Sequence, residues 1–201
     1  NAYDWMKKQI KELKSQAFII CPLVEESESE TLKDVKSVKK EFNNLQSVFS
    51  DLKLGLLHGK LKEKEKNEVL NSFKDDKIDI LVSTPVVEVG IDIPNATIML
   101  IEASDRFGLA QLHQLRGRVG RGSKESYCLL FTENDSEKST ARLTALTQTS
   151  SGFELAELDL QLRGAGDVLG TKQSGFGNLK IADWSQTKLI KLATKEVSSY
   201  N

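Results

Sequence analysis

The chain is short of cysteine and proline and has almost no net charge. Its 201 residues hold two cysteines and three prolines, and 28 lysines and arginines stand against 29 aspartates and glutamates. Cys21 and Cys128 lie in separate apolar runs without metal-ligand spacing, so they read as buried reduced thiols, which suits a cytoplasmic setting. A formal net charge of −1 supplies no global field for a polyanion, so nucleic-acid contacts have to come from local patches. No apolar run approaches the roughly 20 residues that a membrane helix needs. The amino end is charged, so neither a membrane span nor a signal segment is expected. The sequence also has no Asp-Glu dipeptide, and with it no acidic magnesium-and-water motif of the Walker B kind.

What is present is ordinary globular material, 39% apolar and 28% charged, enough for a real core. Trp5, Ile10 and Leu13 among lysines predict an amphipathic helix over 3–15. Five short apolar runs predict strands over 17–21, 53–57, 78–82, 97–101 and 127–131. Helical patterns alternate with them: one from a Thr31 cap to about Ser50, one over 62–75, and one from Leu109 to Leu115. The acidic run Glu25 to Glu30 reads as a solvated turn. Alternation of this kind implies a parallel sheet with helices on both faces, and ligands at the carboxyl ends of its strands. His58, Ser83, Thr84 and Glu102 fall at such ends, and the glycine-arginine stretch over 117–122, which lies between two of the strands, is expected at the same rim. After about Glu133 the strand signal stops, and helices are expected over 136–149 and 152–162. A glycine-rich loop from Arg163 to Asn178 and a terminal helix over 182–200 complete the chain. The fold expected is therefore an α/β domain over 1–135 followed by a helical hairpin and loop annex over 136–201. The chain opens inside a helical pattern, as a piece of a longer protein does.

One stretch organises the rest. Gln111 to Gly122 holds Arg116, Arg118 and Arg121 with Gln111, Gln114 and His113, and has glycines at 117, 120 and 122. Its first half places Leu109, Leu112 and Leu115 on one helix face, and the glycines then free the backbone to aim Arg118 and Arg121 outward. Planar guanidiniums so held suit phosphate oxygens. A solvated basic helix end is the plainer alternative, but two Gly-Arg pairs three residues apart are too patterned for it.

The phosphates themselves have no cradle here. Gly117 to Lys124 approaches the phosphate-loop pattern, but Ser123 intrudes between Gly122 and Lys124 and the run leads into a strand instead of a helix. Gly164, Gly166 and Gly170 are one residue off the dinucleotide spacing. A lobe with arginines for a triphosphate but no cradle, magnesium ligand or base completes a site whose other half lies elsewhere, as arginine fingers do.

Gln114-x-x-Gly117-Arg118-x-Gly120-Arg121 resembles motif VI of superfamily-two helicases, and Ser83 to Pro94 resembles their motif V. Cys21-Pro22 resembles motif IV, and Leu57-His58-Gly59 the segment between them. Phe153 to Gly175 is similar to the translocation motif shared by the RecG family and the transcription-repair coupling factor. Cys21-Pro22-Leu23-Val24-Glu25-Glu26-Ser27 leans towards RecG. The resemblance implies the second RecA-like motor lobe of an ATP-dependent DNA helicase that remodels branched DNA in repair and recombination. The coupling factor, or a non-catalytic interaction module, is the alternative.

It further implies that Arg118, Arg121 and Gln114 meet the γ-phosphate, and that Gly90 and Asp92 approach the nucleotide. ATP and Mg2+ would be held mainly by the absent first lobe, and a DNA-binding wedge domain would belong to the same parent. Ser83, Thr84, His58, Gly59 and Lys60 would contact DNA phosphates, while Arg142, Arg163 and Gln173 would couple lobe closure to duplex movement. No metal ligand is expected, and the fragment alone should be inactive. Simpler roles exist for several of these residues. Thr84 could cap a turn, Asp92 could be a turn acid, and His58 and Arg142 could be solvated surface residues. Arg163 could pair with Asp159 or Asp167.

Overall fold

A computed structural model of the chain describes residues 1–22, 30–85, 93–134 and 136–163. The elements run α1 (Ala2–Leu13), β1 (Gln16–Ile20), α2 (Glu30–Val48), β2 (Leu54–Leu57), α3 (Glu63–Lys74), β3 (Ile80–Ser83) and β4 (Ala96–Ile101). A 3-10 turn (Ser104–Arg106), α4 (Leu109–Arg116), β5 (Tyr127–Leu130), α5 (Glu137–Gln148) and α6 (Gly152–Arg163) follow. All five strands pair in parallel in the order β2-β3-β1-β4-β5, as the alternating pattern requires.

Every residue of β1 is buried, because helices cover both faces of the sheet. Alternate side chains sort into two cores. Ala17, Ile19, Ile80, Val82, Ile98 and Leu100 meet Met6 and Ile10 of α1 and Leu45 of α2. Phe18, Ile20, Leu81, Met99 and Ile101 meet Phe73 of α3, the three leucines of α4, and Leu143, Leu146 and Leu155 of α5 and α6. The helical hairpin thus extends one of the sheet's two cores. The boundary at residue 135 separates a change of pattern along the sequence, not two separate interiors.

Three boundaries differ from expectation. α1 stops at Leu13 because Lys14 turns left-handed at φ 45°, and the Ser15 amide then donates to the Ile10 carbonyl at 3.2 Å. α2 already includes Glu30, so Thr31 lies in its first turn instead of capping it. β3 starts at Ile80, and Asp79 just ahead of it binds across to the approach to β2, its carboxylate accepting from the Lys53 amide at 2.7 Å. The acidic run Glu25 to Glu28, the glycine-rich loop after Arg163 and the terminal helix expected over 182–200 lie outside the described residues.

Candidate functional site

α4 packs Leu109, Leu112 and Leu115 into the core, each fully buried. Each such side chain contributes about 1.5–3 kcal/mol, which fixes the rotation of a helix of only eight residues. Gln114 then points to solvent. Beyond the helix the chain tightens: the Gly117 amide donates to the His113 carbonyl at 3.1 Å and the Arg118 amide to that of Leu115 at 2.9 Å. Gly117 has an ordinary helical φ of −69°, so the expected glycine relief is not used there. It falls on Gly120, at φ +81°. It falls also on Gly122, where a Cβ would lie 2.9 Å from the Pro94 carbonyl oxygen. Arg121 is exposed and Arg118 half-buried, and Arg121 Nε donates to the Gly117 carbonyl at 3.4 Å.

The arginine stretch does not share the strand-end rim with His58 and Thr84, as had been expected. A helix crossing between parallel strands runs back along the sheet, so α4 ends towards the strands' amino ends. Gly122 abuts Pro94, just before β4, and Lys124 Nζ reaches the Asn95 side chain at 2.7 Å and the Leu13 carbonyl at 3.1 Å, just before β1. What links the two sides is the segment that leaves β3 at Thr84 and returns at Ile93-Pro94. Gly90 and Asp92 belong to it and lie outside the described residues.

At the carboxyl rim, Gly59 and Lys60 are exposed, but His58, Ser83 and Thr84 are buried, with 5%, 0% and 2% of their surface accessible. Ser83 Oγ donates to the Thr84 carbonyl at 2.7 Å. His58 Nδ1 and Thr84 Oγ1 find no hydrogen-bond partner among the described residues. Burial, helped by the nearby Lys39 charge, holds the His58 pKa below its ordinary 6.5 and so favours the neutral ring. His58 is therefore an interior histidine of this lobe and not the surface residue of the simpler reading. The rim also holds a cavity of about 310 Å³ lined by Cys21, Glu41, Glu102, Arg106 and Glu133. Burial raises the Glu102 pKa against the hydrogen bond from Tyr3 Oη at 2.8 Å, and burial lifts the Cys21 thiol to about 12. Three carboxylates around one arginine repel phosphate oxygens, so this cavity does not suit a nucleotide. Among the described residues no cluster of three or more metal-binding side chains occurs.

The hairpin supplies what sequence reasoning missed. Arg142 is only 6% exposed, not a solvated helix residue. Its Nε donates to Asp159 Oδ1 at 2.9 Å, and its two terminal nitrogens to the Asp105 carbonyl at 3.2 Å and the Phe107 carbonyl at 2.8 Å. Asp159, expected only as a possible partner of Arg163, pairs with Arg142, and its Oδ2 accepts from the Leu109 amide at 3.2 Å. His113 Nε2 donates to the Ser150 carbonyl at 2.9 Å, and Arg116 Nη1 donates to the carbonyls of Leu146 and Thr149. The one signal for these contacts was Gly108, which opens α4 with no side chain to cap it. Arg163 ends α6, its side chain outside what is described, and Gln173 lies outside the described residues.

The helicase conserved C-terminal domain matches residues 1–123, and the carboxyl part of domain 3 of the ATP-dependent DNA helicase RecG matches 149–199. An ATP-dependent DNA helicase RecG from Staphylococcus epidermidis is 50% identical over 184 residues, 90% of this chain and 27% of that protein. One from Staphylococcus aureus is 47% identical over 200 residues, 98% of this chain and 29% of that protein. The chain thus spans under a third of the length of these relatives. A structure of RecG bound to a three-way DNA junction is 41% identical, with a TM-score of 0.68 over 95% of this chain and 24% of its own. Domain 2 of the DEAD-box helicase Mss116p, bound to an RNA duplex, is 26% identical, with a TM-score of 0.57 over 80% of this chain and 62% of its own. The five-stranded parallel sheet is that of a RecA-like helicase lobe, and the chain belongs to the helicase conserved C-terminal domain family, where its relatives are of the RecG type.

Proposed function

We propose that this chain is the second motor lobe of an ATP-dependent DNA helicase that remodels branched DNA, such as stalled forks and junctions, in repair and recombination. The observation that carries the reading is the turn Gly117 to Gly122, which is locked against Pro94 yet keeps Arg121 at the surface and Arg118 half at it. A cationic turn this constrained, in a chain whose sequence has no phosphate loop, fits a finger that completes a nucleotide site held by another lobe. ATP and Mg2+ are then bound mainly by the first lobe of the same parent. Arg118, Arg121 and Gln114 face the γ-phosphate, and Gly90 and Asp92 approach the nucleotide from the neighbouring segment.

Closure of the two lobes brings these side chains to the phosphate, and hydrolysis releases them, a two-state cycle biased by one charged group. Gly59 and Lys60 meet the DNA backbone, which positions a strand without reading its sequence. His58, Ser83 and Thr84, buried here, shape the floor of that contact. Arg142, Arg163 and Gln173 couple closure to duplex movement, and the parent carries a wedge domain and works in the cytoplasm. The RecG names of the relatives favour this parent over a transcription-repair coupling factor. The test is ATP hydrolysis by the purified 201-residue chain. Negligible turnover is expected, and turnover that disappears in Arg121→Ala would refute the division of labour.

A further inference from the structure

Lys124 stands three residues past Arg121, on the far side of the arginine turn. Its Nζ donates to the Asn95 side-chain oxygen at 2.7 Å, to the Leu13 carbonyl at 3.1 Å and, more loosely, to the Lys14 carbonyl at 3.4 Å. An ammonium has three donors, and this set uses all of them. The two carbonyls lie at the end of α1, where a helix leaves its last carbonyls without partners and presents the negative end of its dipole. Lys124 lies beyond the Gln114 to Arg121 pattern, so the helicase resemblance gives it no part in the chemistry.

Asn95 is bonded in its turn. Its Nδ2 donates to Asp76 Oδ1 at 2.9 Å, and its carbonyl accepts from the Gln16 amide at 2.9 Å. Asp76 lies in the turn between α3 and β3, Gln16 opens β1, and Asn95 immediately precedes β4. Lys124 is thus fastened to the entry edge of the three central strands of the sheet. Two further contacts close the stretch around it. Gly122 abuts Pro94, and Ser126 Oγ donates to the Lys124 carbonyl at 3.3 Å.

We propose that Lys124 is a positioning residue for Arg121. Its ammonium clasps the carboxyl side of the arginine turn to Asn95 and the end of α1, and so sets where the Arg121 guanidinium stands relative to the sheet. This rests on the motor reading above and adds to it a cation that meets protein carbonyls and not the nucleotide. Holding a lysine in one geometry costs side-chain entropy that a freely solvated one does not lose. A shift of about 1 Å at reacting groups costs on the order of a hundredfold in rate. Gly122 still abuts Pro94 when the clasp is cut, so a smaller displacement and a loss of about tenfold are expected.

The experiment uses the full-length parent with Lys124→Met, which keeps the stem and removes the ammonium. Lys124 is exposed, so the variant is expected to fold. ATP turnover with saturating branched DNA, corrected for the fraction of protein that binds ATP, is read beside the KM for ATP and the salt slope of DNA binding. The expected result is a kcat lowered about tenfold, with KM and slope unchanged. An undiminished kcat would overturn the proposal. So would a KM that rises as kcat falls, or a salt slope smaller by about one, because Lys124 would then be touching a phosphate itself. Asn95→Ala removes the other half of the clasp. It should slow turnover as well, and the double variant should be no slower than the slower of the two singles. Effects that multiply would mean that the two residues act separately, and would overturn the clasp. Arg121→Ala is run in parallel: full turnover there would sink the motor reading itself, whatever Lys124→Met does.

Discussion

The ring of His113 packs against Gly152, where a Cβ would sit 3.1 Å from Nδ1 and 3.2 Å from Cε1. α4 and the start of α6 meet there with no room for a branched side chain. Gly152→Val should therefore push His113 off the Ser150 carbonyl and cost about 1–3 kcal/mol. A lower denaturation midpoint at unchanged slope is the result to look for, and an unchanged midpoint would mean the contact is loose.

The turn after α4 makes a separate demand. Gly120 sits at φ +81°, a region that an L side chain enters at a cost of roughly 1 kcal/mol or more. Asparagine tolerates that region better than a β-branched residue does. Gly120→Asn should thus retain most of the chain's thermal stability and Gly120→Val should not. Equal loss in both would point to side-chain bulk and away from backbone conformation.

His58 gives the fold an acid-side weakness. Its pKa is lowered in the fold, so below the ordinary 6.5 the unfolded chain binds a proton that the folded chain refuses. Its contribution is complete above that value and shrinks as pH falls towards the folded pKa. Thermal midpoints should drop on acidification through this window, and a His58→Asn variant should show a shallower drop. An identical pH profile for the variant would remove His58 as the cause.

Much of this was legible in the sequence because it depends on period. The β1 run Ala17 to Cys21 and the spacing of Leu109, Leu112 and Leu115 announce a two-faced parallel sheet and a helix packed on it. The glycine-relieved backbone of the arginine turn was legible as well, since Gly120 and Gly122 are where the chain needs glycine. Its location was not. Expecting it beside Thr84 ignored the direction in which a crossover helix travels, and residues such as Pro94 and Lys124 reveal that direction only by contact. Asp159 was invisible for a related reason: a carboxylate capping a helix 50 residues away leaves no local pattern. Burial of His58 could not be read from one histidine at a strand end.

Lys60 offers a check on the DNA contact. It is exposed next to Gly59, and in the parent Lys60→Ala should weaken DNA binding about equally for all sequences and lower the salt slope by about one. An unchanged slope would take Lys60 out of the DNA path.

The central claim is that this lobe brings cations to a nucleotide bound elsewhere. It is tested most directly by single-turnover ATP hydrolysis in the full-length parent carrying Arg121→Ala, with ATP affinity measured on the same sample. The account predicts hydrolysis slower by about a thousandfold, with ATP still bound at its usual Kd. Hydrolysis at the normal rate would contradict it.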